Sequence, residues 1–461
     1  MPFPKSFVWG AAAASYQIEG AAKADGRGPD VWDMLAREPG RIEDGHNGDR
    51  GTDHYHRLDG DLDLFQQMGL QAYRLSIAWP RILPEGCGRV NPAGLDFYDR
   101  LVDGLLARNI TPWVTLFHWD FPYALYCRGG WLNRDVADWF GEYTQVVAGR
   151  LGDRVRHWMT QNEPQCYIGL GHGGGGHAPG LKLHWPELLR AAHHSLLAHG
   201  TAVKALRAVR SDFRIGIAPV ACVEIPADDS AESIQAAKAG TFSMRSKTFW
   251  KTQWFADPMI LGSYPADGLE VFGGDMAGIV QDGDLEHICQ PLDFFGYNIY
   301  NGQRVTQGPE GHSVSVTATP GHPATTMHWR VEPTCMYWAA KWFHERYQLP
   351  VVITENGLAN NDWVHLDGRV HDPQRIDFTQ RYLLELRRAI DDGAEVAGYF
   401  HWSVMDNFEW ALGYNRRFGL IYVDYGTLER TLKDSALWYR TVIESNGDVL
   451  GDGRNNKPYG T

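Results

Sequence analysis

The segment Val351-Val352-Ile353-Thr354-Glu355-Asn356-Gly357 decides how this chain is read. Val351 to Thr354 are all β-branched, the composition of a short strand covered on both faces, and the run stops on a carboxylate, an amide and a glycine. A second strand-like run, Val155 to Asn162, ends the same way in Thr160-Gln161-Asn162-Glu163-Pro164. Glu163 and Glu355 are distant in the chain, so only a fold that gathers strand ends can bring them together. Two carboxylates so gathered are what glycoside cleavage needs, one to protonate the leaving oxygen and one to attack the sugar or activate water.

Working outward, short branched and aromatic runs alternate with longer stretches of helical period. Eight strands are expected, at Phe7 to Ala14, Ala72 to Ala78, Pro112 to His118, Val155 to Asn162, Phe213 to Val220, Phe294 to Asn298, Val351 to Thr354 and Val396 to Trp402. Helices are expected at Asp59 to Met68, Pro92 to Arg108, Asp135 to Arg150, Pro186 to Arg210, Pro333 to Tyr347, Pro373 to Asp391 and Ser435 to Ser445. Pro92, Pro186 and Pro373 sit where a first-turn proline is tolerated. Eight such units make a single α/β domain, a (β/α)8 TIM barrel over residues 1–461, with long loops on the face formed by the strand C-termini and a mobile tail from about 447. Asn301 to Thr334 and Leu358 to Asp372 exceed ordinary connections and are expected to wall a pocket on that face.

The composition suits one large globular protein: 461 residues, 44% hydrophobic, 21% charged. A net charge of −13 without a dense Lys/Arg run argues against nucleic acid as a partner. Six scattered cysteines without a Cys-x-x-Cys pair read as mostly buried, reduced thiols, which points to a cytoplasmic protein. Phe7 to Ala14 reads as a first core strand rather than a signal h-region, because only Lys5 precedes it as a positive charge, and no stretch is apolar and long enough to span a membrane.

Polar and aromatic groups end the other strands too: Gln17 and Glu19, His118-Trp119-Asp120, Asn298 and Tyr300, and His401-Trp402-Ser403 running on to Asn407-Phe408-Glu409-Trp410. Each alone has a plainer reading, a cap, an ion pair or a satisfied core histidine; their convergence on one barrel face favours ligand binding. No metal or other cofactor is expected. His54-x-His56, His193-His194 and His172 with His177 lack a zincin frame, His344-Glu345 lacks the second histidine of one, and Gly171-His172-Gly173-Gly174-Gly175-Gly176 lacks the Gly-Lys-Ser/Thr of a phosphate loop.

With these residues in view, the chain resembles glycoside hydrolase family 1, its bacterial β-glucosidases in particular. The likeness runs from Phe7-Val8-Trp9-Gly10 through Arg74-Leu75-Ser76-Ile77-Ala78-Trp79-Pro80-Arg81, His118-Trp119-Asp120, Asn162-Glu163-Pro164 and Thr354-Glu355-Asn356-Gly357 to Asp406-Asn407-Phe408-Glu409-Trp410. The resemblance implies a retaining double-displacement hydrolase of terminal β-glucosyl residues in cello-oligosaccharides and aryl or alkyl glucosides, with glucose as product. By the same likeness Glu163 is the acid/base, Glu355 the nucleophile, and Arg74, Tyr300 and Asn298 support the nucleophile. It also implies that Gln17, His118, Trp119, Asn162, Trp402, Glu409, Trp410 and Phe418 hold the sugar, and that the carboxylate of Glu409 disfavours phosphorylated sugars.

Gln165 departs from the resemblance, standing where the family usually has a tryptophan that stacks on the leaving group. With Tyr123, Tyr126 and Trp329 it forms the expected leaving-group site, and weaker stacking there would lessen inhibition by glucose. Selectivity for galactose or fucose configurations, the natural aglycone and the oligomeric state stay open. A catalytically silent sugar-binding barrel is the reading from a different class, and retention of both glutamates speaks against it. Glu163 likewise speaks against a thioglucosidase, and Gln17 with Glu409-Trp410 against an endo-acting enzyme.

Overall fold

The computed structural model describes residues 2–451. Eight strands alternate with helices, and each strand is parallel to its neighbours: β1 (Val8–Ala12), β2 (Ala72–Ser76), β3 (Thr111–Phe117), β4 (His157–Asn162), β5 (Arg214–Ala218), β6 (Phe295–Asn298), β7 (Val351–Asn356) and β8 (Val396–Trp402). The hydrogen-bonded order runs β5-β4-β3-β2-β1-β8-β7-β6. The remaining seam, between β5 and β6, is bridged by Asp293 N–H to Ile215 O at 2.8 Å, Asn298 N–H to Pro219 O at 2.9 Å and Ala221 N–H to Asn298 O at 2.8 Å. The fold is the expected TIM barrel, and each of the eight expected strands overlaps an observed one.

One side chain from each strand or its first flank fills the interior: Ala12, Ala72, Trp113, Met159, Ala218, Phe294, Val352 and Phe400. Three alanines make room for three large rings, with Trp113 5.4 Å from Phe294 and 5.1 Å from Phe400 between centroids. The larger apolar cluster lies between the strands and the surrounding helices. Helix Pro373–Asp391 has the expected bounds, and the others shift by a residue or a few; His54–Gln67 starts a turn earlier than expected.

Four helices between β5 and β6 escaped the sequence reading: Ala231–Phe242, Thr252–Ile260, Ala266–Phe272 and Asp284–Ile288. The first is built largely of small residues with little contrast between its faces, and the second contains Pro258, which normally signals an end. The expectation of mostly buried cysteines holds for only two: Cys166 and Cys335 are buried, Cys87, Cys222 and Cys289 are half-buried and Cys127 is exposed, all as free thiols. These four lie in loops and at element ends, where hydrophobicity alone does not secure burial. Among the described residues no helix is long and apolar enough to cross a membrane. Within the expected tail, Asp448–Leu450 form a 3-10 turn with Leu450 buried, and 452–461 lie outside the described residues.

Both long segments sit over the strand C-termini, with different partners. Gln303–Gln307 pairs with Glu224–Pro226 and Ser313–Ser315 in a small sheet beside the mouth. Residues 358–372 are anchored by a buried ion network instead: Lys433 Nζ donates to Asp362 Oδ2 at 2.6 Å and to Asp406 Oδ1 at 2.7 Å, and Arg375 Nη2 donates to Asp362 at 2.7 Å. Lys433, Asp362 and Asp406 have fully covered side chains. Lys433→Met leaves Asp362 with Arg375 and Asp406 with Arg417 but one buried negative charge of the network uncompensated, so a stability loss of about 3–5 kcal/mol is expected from denaturant unfolding; a loss below about 1 kcal/mol would show that this network does not anchor the loop.

Candidate active site

Strict alternation along β4, with Met159 in the barrel interior, would point Gln161 inward and Asn162 outward. The register with β5 shifts between Met159 and Asn162 and reverses this. Gln161 donates outward to Ser195 O of helix Trp185–Val209 at 2.9 Å, while Asn162 turns inward to Arg74. The same break occurs in β7, where the register with β6 shifts between Ile353 and Glu355 and Glu355 turns inward. Gly357 then passes so close to β8 that a Cβ there would lie 1.8 Å from the carbonyl oxygen of Trp402.

Arg74 from β2 joins these ends. Its Nη1 donates to Glu355 Oε1 at 2.6 Å and to Thr354 O at 3.0 Å, its Nη2 to Asn162 Oδ1 at 2.7 Å, and its Nε to Thr115 Oγ1 at 3.1 Å. Tyr300 Oη donates to Glu355 Oε2 at 2.7 Å. Asn298 Nδ2 donates to Asn162 Oδ1 at 2.9 Å and to Glu163 Oε1 at 2.8 Å, so an unbroken hydrogen-bonded chain links the two carboxyls. Since Asn162 Oδ1 accepts, its Nδ2 is left to donate to His118 Nε2 at 3.2 Å, which assigns His118 the Nδ1–H tautomer. Burial holds that imidazole well below its ordinary pKa, with the charge of Arg74 acting in the same direction.

The two carboxyls differ in their surroundings. Burial raises Glu163 and the charge of Glu355 adds to it, bringing Glu163 to about 7. Burial raises Glu355 as well, but Arg74 and the Tyr300 hydroxyl oppose it directly. When the pair holds one proton, it rests on Glu163 and the negative charge on Glu355.

Both glutamates line a cavity of about 520 Å³ with His118, Trp119, Tyr300, Trp329, Trp402, Glu409, Trp410 and Phe418. His118 stacks on Trp402 at 5.8 Å and on Trp410 at 5.9 Å, and Trp119 lies 4.4 Å from Trp410. Glu163, Trp119 and Trp410 have φ values of +49°, +76° and +51°, a left-handed conformation that costs about 1–3 kcal/mol per non-glycine residue and gathers at functional sites. Gln17 donates to Asn407 Oδ1 at 2.9 Å and Phe408 O at 2.8 Å, leaving its own Oε1 buried without a partner. Glu409 Oε2 is likewise unpartnered, and burial, then the charges of Glu355 and Glu163, raises that carboxyl to about 8. Burial thus favours the neutral form of Glu409 more than exposure to solvent would.

Of the four expected leaving-group residues, only Trp329 lines this cavity. Gln165 is fully buried, its amide donating to Val220 O at 3.1 Å and accepting from Val220 N at 3.2 Å. Tyr123 and Tyr126 face each other 5.6 Å apart in the helical turn Tyr123–Tyr126 and do not line the cavity. Cys166, Cys222, Glu224, Trp250 and Lys251 line it instead, and of these only Cys166 directly follows a motif singled out in the sequence, Asn162-Glu163-Pro164. Glu19 is tied to Arg81 at 3.0 Å and Tyr98 at 2.6 Å, and Asp120 to Ser15 at 2.7 Å, both away from that cavity. Most of the candidate metal histidines are engaged elsewhere, His54 with Asp61, His193 with Tyr264 and Asp284, His194 with Trp131 O and His172 with Tyr167 O, whereas His177 lines the cavity with its Nδ1 unpartnered. Among the described residues no group of three His, Cys, Asp or Glu could hold a metal ion. His172 and its glycines belong to the π-helical stretch Gln165–Gly174 and the turn after it, where a Cβ on Gly171 would lie 2.3 Å from Ala178 O.

A sequence model described as glycosyl hydrolase family 1 matches residues 1–448. The chain belongs to this family. It is similar to a 1,4-beta-D-glucan glucohydrolase of Thermotoga neapolitana, 44% identical over 96% of this chain and 99% of that protein. It is also 41% identical to a bifunctional beta-D-glucosidase/beta-D-fucosidase of Bifidobacterium breve, over 96% of this chain and 98% of that one. The solved structure of a beta-glucosidase from Thermotoga maritima in complex with glucoimidazole superposes with a TM-score of 0.89 at 44% identity, covering 97% and 99% of the two chains.

Gln165→Ala leaves the part-buried N–H of Val220 without its acceptor, while Val220 O keeps the Thr252 hydroxyl at 2.9 Å, so a stability loss of about 1–3 kcal/mol is expected from denaturant unfolding. Glucose inhibition should change less than about threefold, because the side chain does not line the cavity; a larger change would return Gln165 to the leaving-group site.

Proposed function

We propose that this family 1 glycosyl hydrolase is a retaining β-glucosidase that removes terminal, unphosphorylated β-glucosyl residues from cello-oligosaccharides and simple glucosides. The observation that carries the reading is the unequal pair in one cavity: Glu355 held by Arg74 and Tyr300, and Glu163 raised to about 7 beside it. In this reading Glu355 attacks the anomeric carbon while Glu163 protonates the glycosidic oxygen, and the bond to the leaving group breaks. Esterification removes the charge of Glu355, one of the two main influences raising Glu163, so Glu163 ionises more readily and takes a proton from water. The hydroxide oxygen attacks the anomeric carbon, releasing glucose with its β configuration and freeing Glu355.

The names of the glucohydrolase and beta-glucosidase relatives support glucose as the preferred sugar, and the bifunctional relative makes β-fucosides the first alternative substrate to test. The unpartnered Glu409 Oε2 in a cavity walled by Trp402 and Trp410 suits a hydroxylated ring between aromatic faces; Gln17, held by the neighbouring Asn407 and Phe408, keeps a second unpartnered oxygen. Four acidic side chains, Glu163, Glu224, Glu355 and Glu409, line the cavity, with Lys251 the only Lys or Arg among its lining residues, which disfavours a phosphate dianion.

Because Glu163 must be protonated to act first, kcat/KM should fall as pH rises through about 7. Glu163→Gln should lower kcat/KM on cellobiose by about 10²–10⁴-fold, and Glu355→Gln should abolish turnover of every glycoside in a panel of cellobiose and aryl β-glucosides, β-galactosides and β-fucosides. Full activity in either variant would remove the assigned roles. NMR of the first-formed sugar should show β-glucose; initial α-glucose would reject retention.

A further inference from the structure

Cys166 is a second partner of the Glu163 carboxyl. Pro164 turns the chain out of β4, Cys166 N–H closes that turn on Glu163 O at 2.9 Å, and the thiol returns to Glu163 Oε2 at 3.2 Å. The residue is 6% exposed yet lines the cavity. The other carboxyl oxygen, Oε1, already accepts from Asn298 Nδ2, a group that can only donate.

We propose that Cys166 is a positioning residue for the acid/base, marking Oε2 as the oxygen that carries the transferred proton and partnering it in both of its states. With Asn298 fixed on Oε1, the acidic proton belongs on Oε2. A thiol is both a weak donor and a weak acceptor, so it donates to the carboxylate and, after rotation about Cβ–Sγ, accepts from the carboxylic acid. No atom or electron leaves the cysteine: the proton passes between Oε2 and the glycosidic oxygen or water, and the thiol only reorients. The thiol stays protonated, because burial first and then the charge of Glu163 raise it well above its ordinary value.

Being weak, this donor favours the ionised carboxylate only slightly and leaves Glu163 near neutrality. The inference rests on Glu163 being the acid/base. The other titratable and charged groups around Glu163 are Glu355, Arg74 and Tyr300 in the hydrogen-bonded chain, Glu409 across the cavity and Cys222 on the wall. All are unchanged by substitution at Cys166.

The test is the pH profile of kcat/KM for the purified protein and its Cys166→Ala and Cys166→Ser variants, with an aryl glucoside and cellobiose. Losing a donor to the ionised form should move the alkaline limb of Cys166→Ala upward by about half to one pH unit. Cys166→Ser, with a stronger donor, should move it down or leave it in place, and should keep wild-type kcat on cellobiose within about threefold. Cys166→Ala should lose about 3- to 10-fold in kcat with less change in KM. An alkaline limb unmoved in both variants, or equal loss in both, would overturn the proposal and leave Cys166 a packing residue. Glu163→Gln separates the two readings: if it keeps the wild-type limb, the acid/base assignment itself fails; if it loses the limb while Cys166→Ala does not shift it, only the role of Cys166 fails.

Discussion

The guanidinium of Arg74 is the charge around which the mouth of the barrel is arranged. It is 1% exposed and cannot shed its proton, so folding must supply it with an anion and with acceptors for its remaining donors. Glu355, the Thr354 carbonyl, Asn162 and Thr115 meet that demand, and they come from β7, β4 and β3. A single cation on β2 thereby fixes the ends of three other strands. Glu355 needs the cation as much as the cation needs it, because burial alone pushes its carboxyl towards the neutral form. The asymmetry between the two glutamates follows. One faces this cation and a phenol, the other an amide, a thiol and its negatively charged twin.

The barrel and both carboxylates were legible in the sequence because each depends on short-range pattern. Branched runs such as Val351 to Thr354 have few alternatives to a covered strand, and Pro92, Pro186 and Pro373 mark helix starts by removing a donor that no helix would use. Inward direction was not legible. Alternation predicts that Asn162 and Glu355 turn away from the axis when Met159 and Val352 face it, and only the register shifts in β4 and β7 reverse that. A shift of this kind is negotiated between two strands, so neither strand's sequence announces it.

Three of the four expected leaving-group residues do not line the cavity, for a related reason. Proximity in sequence to Glu163 suggested Gln165, and proximity to His118 suggested Tyr123 and Tyr126. At Glu163 the backbone is left-handed, and after Pro164 the π-helical stretch Gln165–Gly174 begins, which buries Gln165 against Val220 and brings Cys166 to the cavity instead. The rest of that wall, Glu224, Trp250 and Lys251, follows β5, in a region whose helices are too short or too uniform in composition to show a period. Where the chain is least regular, its contribution to the cavity is least readable.

The walls proposed for the sugar and for the leaving group have different mechanical support. Glu409 and Trp410 extend from β8 on a loop whose base is Asp406, and Asp406 accepts from Lys433, from Arg417 Nη1 at 2.5 Å and from Gly419 N at 3.0 Å. That loop is pinned by fully buried charge on Lys433 and Asp406, and removing either side chain leaves the network with an uncompensated charge in a medium that cannot solvate it. Trp250, by contrast, is 44% exposed, and the ion pair beside it, Lys251 with Glu224 at 3.4 Å, is partly open to solvent. In the proposed reading, ordering falls where a hydroxylated ring would be held against developing charge, and tolerance where only the departing group would have to fit.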